Sequence, residues 1–278
     1  MRGRVAQLTD THIVREGSTY LGIDTSRYLA DAIDAVHALD PLPEYIVVTG
    51  DMTNYGTEPQ YARFREIMSR ARLPYFVIPG NHDNRERLRA TLSPQTYGGP
   101  GDELHFAIDD FPIRFVGLDC NTPRPWPGAV AGVQTLAWLE RSLASMPERA
   151  TIVAVHQPPF RTGLHYIDIG GFIGSTRLRS VIDRHANVRA VVSGHIHCVR
   201  SARWGSAVAS SAASTSPQLV PLLFARGRVI GIARERAGFA VHDLHDDGSF
   251  ARTDFRRGDD GCYAPERDGS TRDTNRPS

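Results

Sequence analysis

Seven side chains of three types, each just beyond a short apolar run, are the residues of this chain best suited to chemistry: Asp10, His12, Asp51, Asn81, His156, His195 and His197. Imidazoles, carboxylates and an amide oxygen suit borderline-hard divalent or trivalent cations such as manganese, iron, zinc or cobalt, and no thiolate belongs to the set. Seven ligands exceed what one ion takes. Two ions sharing a bridging carboxylate use about this many and keep positions open for water and substrate. Taken singly the motifs are weak: an Asp-x-His can be a helix cap beside a surface histidine, and Gly80-Asn81-His82-Asp83 can be a turn. Gly194-His195-Ile196-His197 is stronger, because two imidazoles two residues apart beyond a strand would project to the same side. Their joint occurrence, in this order and at these positions, points to one metal centre.

The elements that must position these groups are visible in the hydrophobic pattern. Runs rich in Val and Ile at Val5–Leu8, Tyr45–Val48, Tyr75–Ile78, Phe115–Leu118, Thr151–Val155 and Arg189–Val192 have the length and composition of buried strands. Helical spacing marks Ser26–Leu39, Gln60–Ala71, Gln134–Leu143 and Arg177–His185. This alternation predicts a layered α/β fold with a largely parallel or mixed sheet covered by helices. Five of the runs deliver a candidate ligand at their carboxyl ends, the edge where open α/β sheets bind ligands. Glycines before Asp51, Asn81 and His195 fit a chain that turns sharply off a strand and brings a side chain close to an ion.

Beyond Cys198 the texture changes to shorter β-prone runs at Val199–Ala209, Val229–Arg234, Phe239–Leu244 and Phe250–Phe255. The small-residue stretch Ser210–Ser216 and the apolar Leu219–Phe224 fit an active-site loop, a cap or a subunit contact, the last implying a homo-oligomer. The domain expected is residues 1–256, with 199–240 as its cap or oligomerisation segment, and residues 257–278 have the composition of a disordered tail.

Composition narrows the function. With 278 residues, 41% hydrophobic and 23% charged, the chain is long enough for a sizeable core and ordinary for a folded protein. A net charge of +1 gives no global attraction for nucleic acid polymers. All 32 basic residues are arginine. Codon bias is the simplest explanation, and the absence of lysine excludes P-loop and Schiff-base chemistry. The three cysteines are widely spaced and form no CxxC, which argues against a disulfide framework or zinc knuckle and for a reducing compartment. With no apolar stretch of about 18 residues and no leader-like apolar segment, the expectation is a cytoplasmic protein without membrane contact.

In the motifs Asp10-Thr11-His12, Gly50-Asp51, Gly80-Asn81-His82-Asp83, His156 and Gly194-His195-Ile196-His197, the sequence resembles the calcineurin-like metallophosphoesterases. Gln157-Pro158-Pro159 after the single histidine is most similar to the bacterial branch containing class III cyclic nucleotide phosphodiesterases and glycerophosphodiesterases. The resemblance covers roughly residues 5–200. It implies a four-layered αββα sandwich, two mixed sheets flanked by helices, and two metal ions. Asp10, His12, Asp51 and His197 would hold the first ion, and Asp51, Asn81, His156 and His195 the second, with Asp51 as the bridge. The implied activity is hydrolysis of small soluble phosphodiesters, 3′,5′-cyclic nucleotides or glycerophosphodiesters, by an ion-activated water. Asn81 and His82 would contact substrate. His82, its ring oriented by Asp83, would touch the phosphate or protonate the leaving alkoxide. One departure is Tyr20-Leu21-Gly22-Ile23-Asp24, where relatives often carry Tyr-Gly-x-x-Asp.

A phosphomonoesterase or nuclease could use the same centre, the nuclease being disfavoured by the near-neutral charge. An inactive scaffold is disfavoured because every motif position is filled. His165, in the glycine-rich stretch Gly163–Gly174, is placed at the substrate mouth, and His185 in the last turn of a helix as a dipole partner. Neither joins the site.

Overall fold

The computed structural model describes residues 3–91, 97–98, 101–122, 128–221, 230–233, 238–245 and 250–257. In chain order the first elements are β1 (Gly3–Leu8), α1 (Thr25–His37), β2 (Tyr45–Thr49), α2 (Glu58–Met68), β3 (Tyr75–Ile78) and α3 (Arg85–Thr91). Next come β4 (Phe106–Ile108), β5 (Arg114–Leu118), β6 (Ala129–Val130), α4 (Val133–Ala144), β7 (Thr151–Val155), α5 (His165–Gly170), β8 (Phe172–Ile173) and α6 (Ser175–Asp183). The remainder are strands β9 (Val188–Ser193), β10 (Arg200–Trp204), β11 (Ala207–Ser211), β12 (Gln218–Pro221), β13 (Ile230–Ala233), β14 (Gly238–Leu244) and β15 (Phe250–Arg257).

Two mixed sheets result. The first has the order β15-β14-β1-β2-β3, with β1, β2 and β3 parallel and β14 antiparallel to β1. The second has the order β10-β11-β9-β7-β5-β4, with β5, β7, β9 and β11 parallel. Successive strand residues point to opposite faces, and this period assigns them to different cores. From β1 and β2, Val5, Tyr45 and Val47 enter the core between the sheets, while Ala6, Leu8, Ile46 and Val48 face the layer containing α1 and α2. The second sheet divides the same way: Phe115, Ile152 and Ala154 face inward, and Val116, Leu118, Val153 and Val155 face α4 and α6. The layers are therefore helix, sheet, sheet, helix, as the family resemblance implied.

The helices close these faces with single apolar stripes. Asp24 caps α1 by accepting from Arg27 N, and Leu29, Ala32, Ile33 and Val36, at helical spacing, are all buried. Burial of each larger aliphatic chain is worth about 1.5–3 kcal/mol.

Several expectations are altered. The ligand-bearing strands divide between the two sheets that the resemblance implied, so two carboxyl edges meet instead of the single edge that the hydrophobic pattern alone suggested. Val199–Ala209 is a hairpin, β10 and β11, that completes the second sheet. α6 ends at Asp183, so His185 lies beyond the last turn, where its Nε2 sits 3.0 Å from Glu140 Oε1. His165 opens the short helix α5. Within the expected cap and tail, residues 222–229, 234–237 and 258–278 fall outside the described residues.

Candidate metal centre

Each ligand candidate follows a strand end by one to four residues, and most sit in a backbone conformation that ordinary side chains avoid. Asp10, His12, Asp51, His195 and His197 have φ of 53°, 42°, 53°, 70° and 49°. Left-handed φ costs a non-glycine residue on the order of 1 kcal/mol and persists where surrounding bonds impose it. Those bonds are present: Asp10 N and His12 N donate to Gly50 O and Asp51 O, clamping the two loops together. The His195 N–H donates to the Asp10 carboxylate at 2.9 Å, tying the β9 loop to the β1 loop across the sheets.

The glycines make room for this approach. A Cβ on Gly80 would lie 2.0 Å from Asp51 Oδ1, and one on Gly194 would lie 1.9 Å from Thr9 Oγ1. Gly50 combines a φ of +99° with a place where a Cβ would be 2.3 Å from His156 Nδ1.

The side chains converge in three overlapping groups: Asp10–His12–His197, Asp51–His156–His195 and His12–Asp51–His82, with ligand atoms within 4.8 Å of one another in each. Asn81 joins the second through Oδ1, 3.1 Å from His156 Nε2. All seven candidates are thus brought together. His195 and His197 separate, however, one into each of the first two groups. β9 has ended at Ser193, and the turn aims the two rings differently, so strand periodicity does not describe them.

The tautomers are set by partners the sequence did not reveal. Nδ1 of His156 donates to Thr49 O at 2.8 Å, Nδ1 of His197 to Pro217 O at 2.7 Å, and Nδ1 of His12 to Asn54 Oδ1 at 3.1 Å. Each Nε2 is then left with a lone pair, the form that binds a metal. His12 Nε2 and His197 Nε2 nevertheless face one another at 3.1 Å. Two opposed lone pairs repel unless a cation lies against both, so the geometry fits metal ions. Asp51 provides the link between groups: Oδ1 accepts from His82 N at 2.8 Å, while Oδ2 lies 3.6 Å from His12 Nε2 and 3.3 Å from His156 Nε2.

The carboxylates favour positive charge at His156, whereas burial disfavours it at His12 and His195. Burial disfavours a charged His156, but Asp51 and then Asp10 outweigh it and push the ring up to about 9. Burial, then the neighbouring His156, takes His195 down to about 3. Burial raises the Asp10 carboxyl against the pull of His197 and His156. Asp51 resists burial and is held well below the usual carboxylate range by His156, His82 and His12.

Asp83 has a different task from the one expected. Its carboxylate accepts from the N–H groups of Gly80, Met52 and Thr53 and from the Tyr61 hydroxyl, bracing the Asn81 loop against the Asp51 loop. The His82 ring is oriented instead by Asn54, whose carbonyl accepts from Nδ1 at 2.8 Å. The small-residue stretch after β11 also has a place: Ser214 Oγ donates to Asp10 O, and Thr215 N to Thr9 O, backing the β1 loop.

The centre forms the floor of a cavity of about 900 Å³. Tyr20, stacked on His12 with ring centroids 4.7 Å apart, lines it together with Phe160, Arg161, Ile167 and Phe172.

The family model for calcineurin-like phosphoesterases matches residues 3–199, the segment that supplies every ligand candidate. The chain belongs to this family. It is 33% identical over 217 residues to a probable glycerophosphodiester phosphodiesterase of Arcobacter nitrofigilis, an alignment covering 77% of this chain and 79% of that protein. It is 29% identical over 266 residues to the 3′,5′-cyclic adenosine monophosphate phosphodiesterase of Pseudomonas aeruginosa, covering 95% and 93% of the two chains. Among solved structures, a dimetal phosphatase from Danio rerio superposes with a TM-score of 0.67 at 15% identity, covering 93% of this chain and 99% of that one. That likeness bears on the fold. Metallophosphoesterase membership and the clustered His and Asp groups imply divalent metal ions. No helix among the described residues is long and apolar enough to cross a membrane.

Proposed function

We propose that this chain is a dinuclear phosphodiesterase acting on small soluble diesters, 3′,5′-cyclic nucleotides or glycerophosphodiesters. The observation that carries the reading is Asp51 Oδ2, within 3.6 Å of one imidazole from each of the two ligand groups, so that Asp51 would serve ions held in either group. The names of the relatives, a glycerophosphodiesterase and a cyclic nucleotide phosphodiesterase, support diester hydrolysis. Ions at such a centre, of manganese, iron, zinc or cobalt, supply Lewis-acid stabilisation of the phosphoryl oxygens and acidify bound water.

The remaining work falls to the chain itself. His12 and His197 belong with Asp10 on one side, and His156, His195 and Asn81 on the other, with Asp51 between. Asn81 and His82 line the cavity, where they would meet the phosphate. With Nδ1 donating to the Asn54 carbonyl, His82 presents Nε2, which in the imidazolium form gives its proton to the leaving alkoxide. Asp83 acts as a positioning residue, holding the loops that carry Asn81 and Asp51. Residues 1–256 form one metallophosphoesterase domain in this reading, cytoplasmic in location.

The test is a panel assay on enzyme reconstituted with each metal, using cyclic AMP, cyclic GMP, glycerophosphocholine, bis-nitrophenyl phosphate and a nitrophenyl monoester. Turnover of diesters above the monoester is expected. Faster turnover of the monoester would make the chain a phosphomonoesterase, and no turnover with any metal would end the enzymatic reading.

A further inference from the structure

Gln157 follows the ligand His156 and is part of the cavity wall, yet it has no part in the chemistry described so far. Only 5% of it is exposed, and its amide oxygen, Oε1, meets no hydrogen-bond partner. Buried polar atoms are nearly always paired, so an orphan acceptor on a residue of the cavity wall needs an account. Inverting the amide does not remove the problem. Nε2 donates to Asn121 Oδ1 at 2.8 Å and lies 3.4 Å from Gly128 O, so a flipped Gln157 would set its oxygen against two acceptors.

Asn121 cannot flip to accommodate it either. Its Nδ2 donates to Pro79 O at 2.6 Å and to Asp119 Oδ1 at 3.3 Å, both acceptors. Asp119 is in turn held by the Arg85 guanidinium, which also donates to Asn121 O. Hydrogen bonds therefore run with one polarity from the Gly80-Asn81 loop through Asn121 to Gln157 and end on an oxygen that still needs a donor.

We propose that Gln157 Oε1 accepts a hydrogen bond from a substrate hydroxyl, and so selects diesters with a hydroxyl on the carbon next to the esterified one. The proposal rests on the diesterase reading above. Cyclic ribonucleotides and glycerophosphodiesters both carry such a vicinal hydroxyl. A site built to pair with a hydroxyl discriminates against the analogue lacking it, because the buried acceptor is then left unpaired.

Two substrate pairs test this: cyclic AMP against its 2′-deoxy analogue, and glycerophosphocholine against 3-hydroxypropyl phosphocholine, which lacks only the glycerol 2-hydroxyl. Bis-nitrophenyl phosphate, with no hydroxyl, reports the diesterase activity separately. Wild-type enzyme is expected to prefer the hydroxyl-bearing member of at least one pair by about tenfold or more in kcat/KM. Gln157→Met should erase that preference, mainly through KM, and lower turnover of the hydroxyl-bearing substrates more than that of bis-nitrophenyl phosphate. If wild type hydrolyses bis-nitrophenyl phosphate but treats both members of each pair alike, the role assigned to Gln157 is wrong. Equal losses by Gln157→Met on all substrates would also overturn it, in favour of a purely structural amide. Failure to hydrolyse bis-nitrophenyl phosphate or any other diester would instead remove the diesterase reading beneath it. The wild-type comparison needs no variant, so a poorly folding Gln157→Met does not block the test.

Discussion

His82 is where residue identity, rather than loop geometry, decides between binding and chemistry. Its backbone N–H is bound to Asp51 and its Nδ1 to Asn54, so the ring is fixed at the cavity floor. If Nε2 protonates the leaving alkoxide, His82→Ala should retain metal and lose rate according to how much the leaving group needs a proton. We expect losses of about 10²–10⁴-fold on alkyl esters and much smaller losses on nitrophenyl esters. Equal losses on both would reduce His82 to phosphate binding. The seven ligand candidates were legible in the sequence because each follows an apolar run, and the structure brings them together. What sets their tautomers was not: Thr49 and Pro217 contribute only backbone carbonyls, which every residue possesses. Gln157 stood inside a quoted motif, but its unpaired oxygen emerges only from the three-dimensional network.

At the scale of the elements, the site is made by loops that almost touch. Gly80 shows how close: any side chain there would collide with Asp51. Gly80→Ala would put a Cβ 2.0 Å from Asp51 Oδ1 and 2.3 Å from its backbone N, so it should push the Asp51 loop away, lower stability, and cost about tenfold or more in metal affinity. Titration calorimetry with manganese or zinc measures this, and unchanged affinity would show that the loops can part. The long elements were readable because unbroken apolar runs mark the buried strands and a period of 3.6 marks the helices. α3, β4, α5 and the two-residue pair β6 and β8 were missed, being too short for a pattern to stand out from its surroundings. Assigning the ligand strands to two sheets likewise requires knowing which edges meet, and that depends on the packing of Val5, Phe115, Ile152 and their neighbours between the sheets.

For the whole molecule, the first sheet contains a titratable group far from the metals in role. His242 on β14 is fully buried, its Nε2 2.9 Å from Gln7 Oε1, and burial, opposed by Asp243, takes it down to about 4. The unfolded chain takes up this proton near pH 6.5 and the native state only near pH 4. Stability from this group is therefore complete above about pH 6.5 and declines as pH falls toward 4. Between pH 7 and 5 the decline should be about 2 kcal/mol, and urea unfolding of His242→Gln should lack it. Identical pH slopes for the two proteins would show that the ring is already charged in the native state.

The proposed two-ion centre is tested most directly by counting metal. The fold brings two carboxyl edges together around Asp51 Oδ2, and on one side of it His12 and His197 carry opposed lone pairs that an ion would satisfy. Elemental analysis of protein saturated with manganese or zinc and freed of excess should find about two ions per chain, and about one in His197→Ala, which leaves the Asp51–His156–His195 group whole. A saturated wild-type chain that holds one ion, or none, would contradict the account.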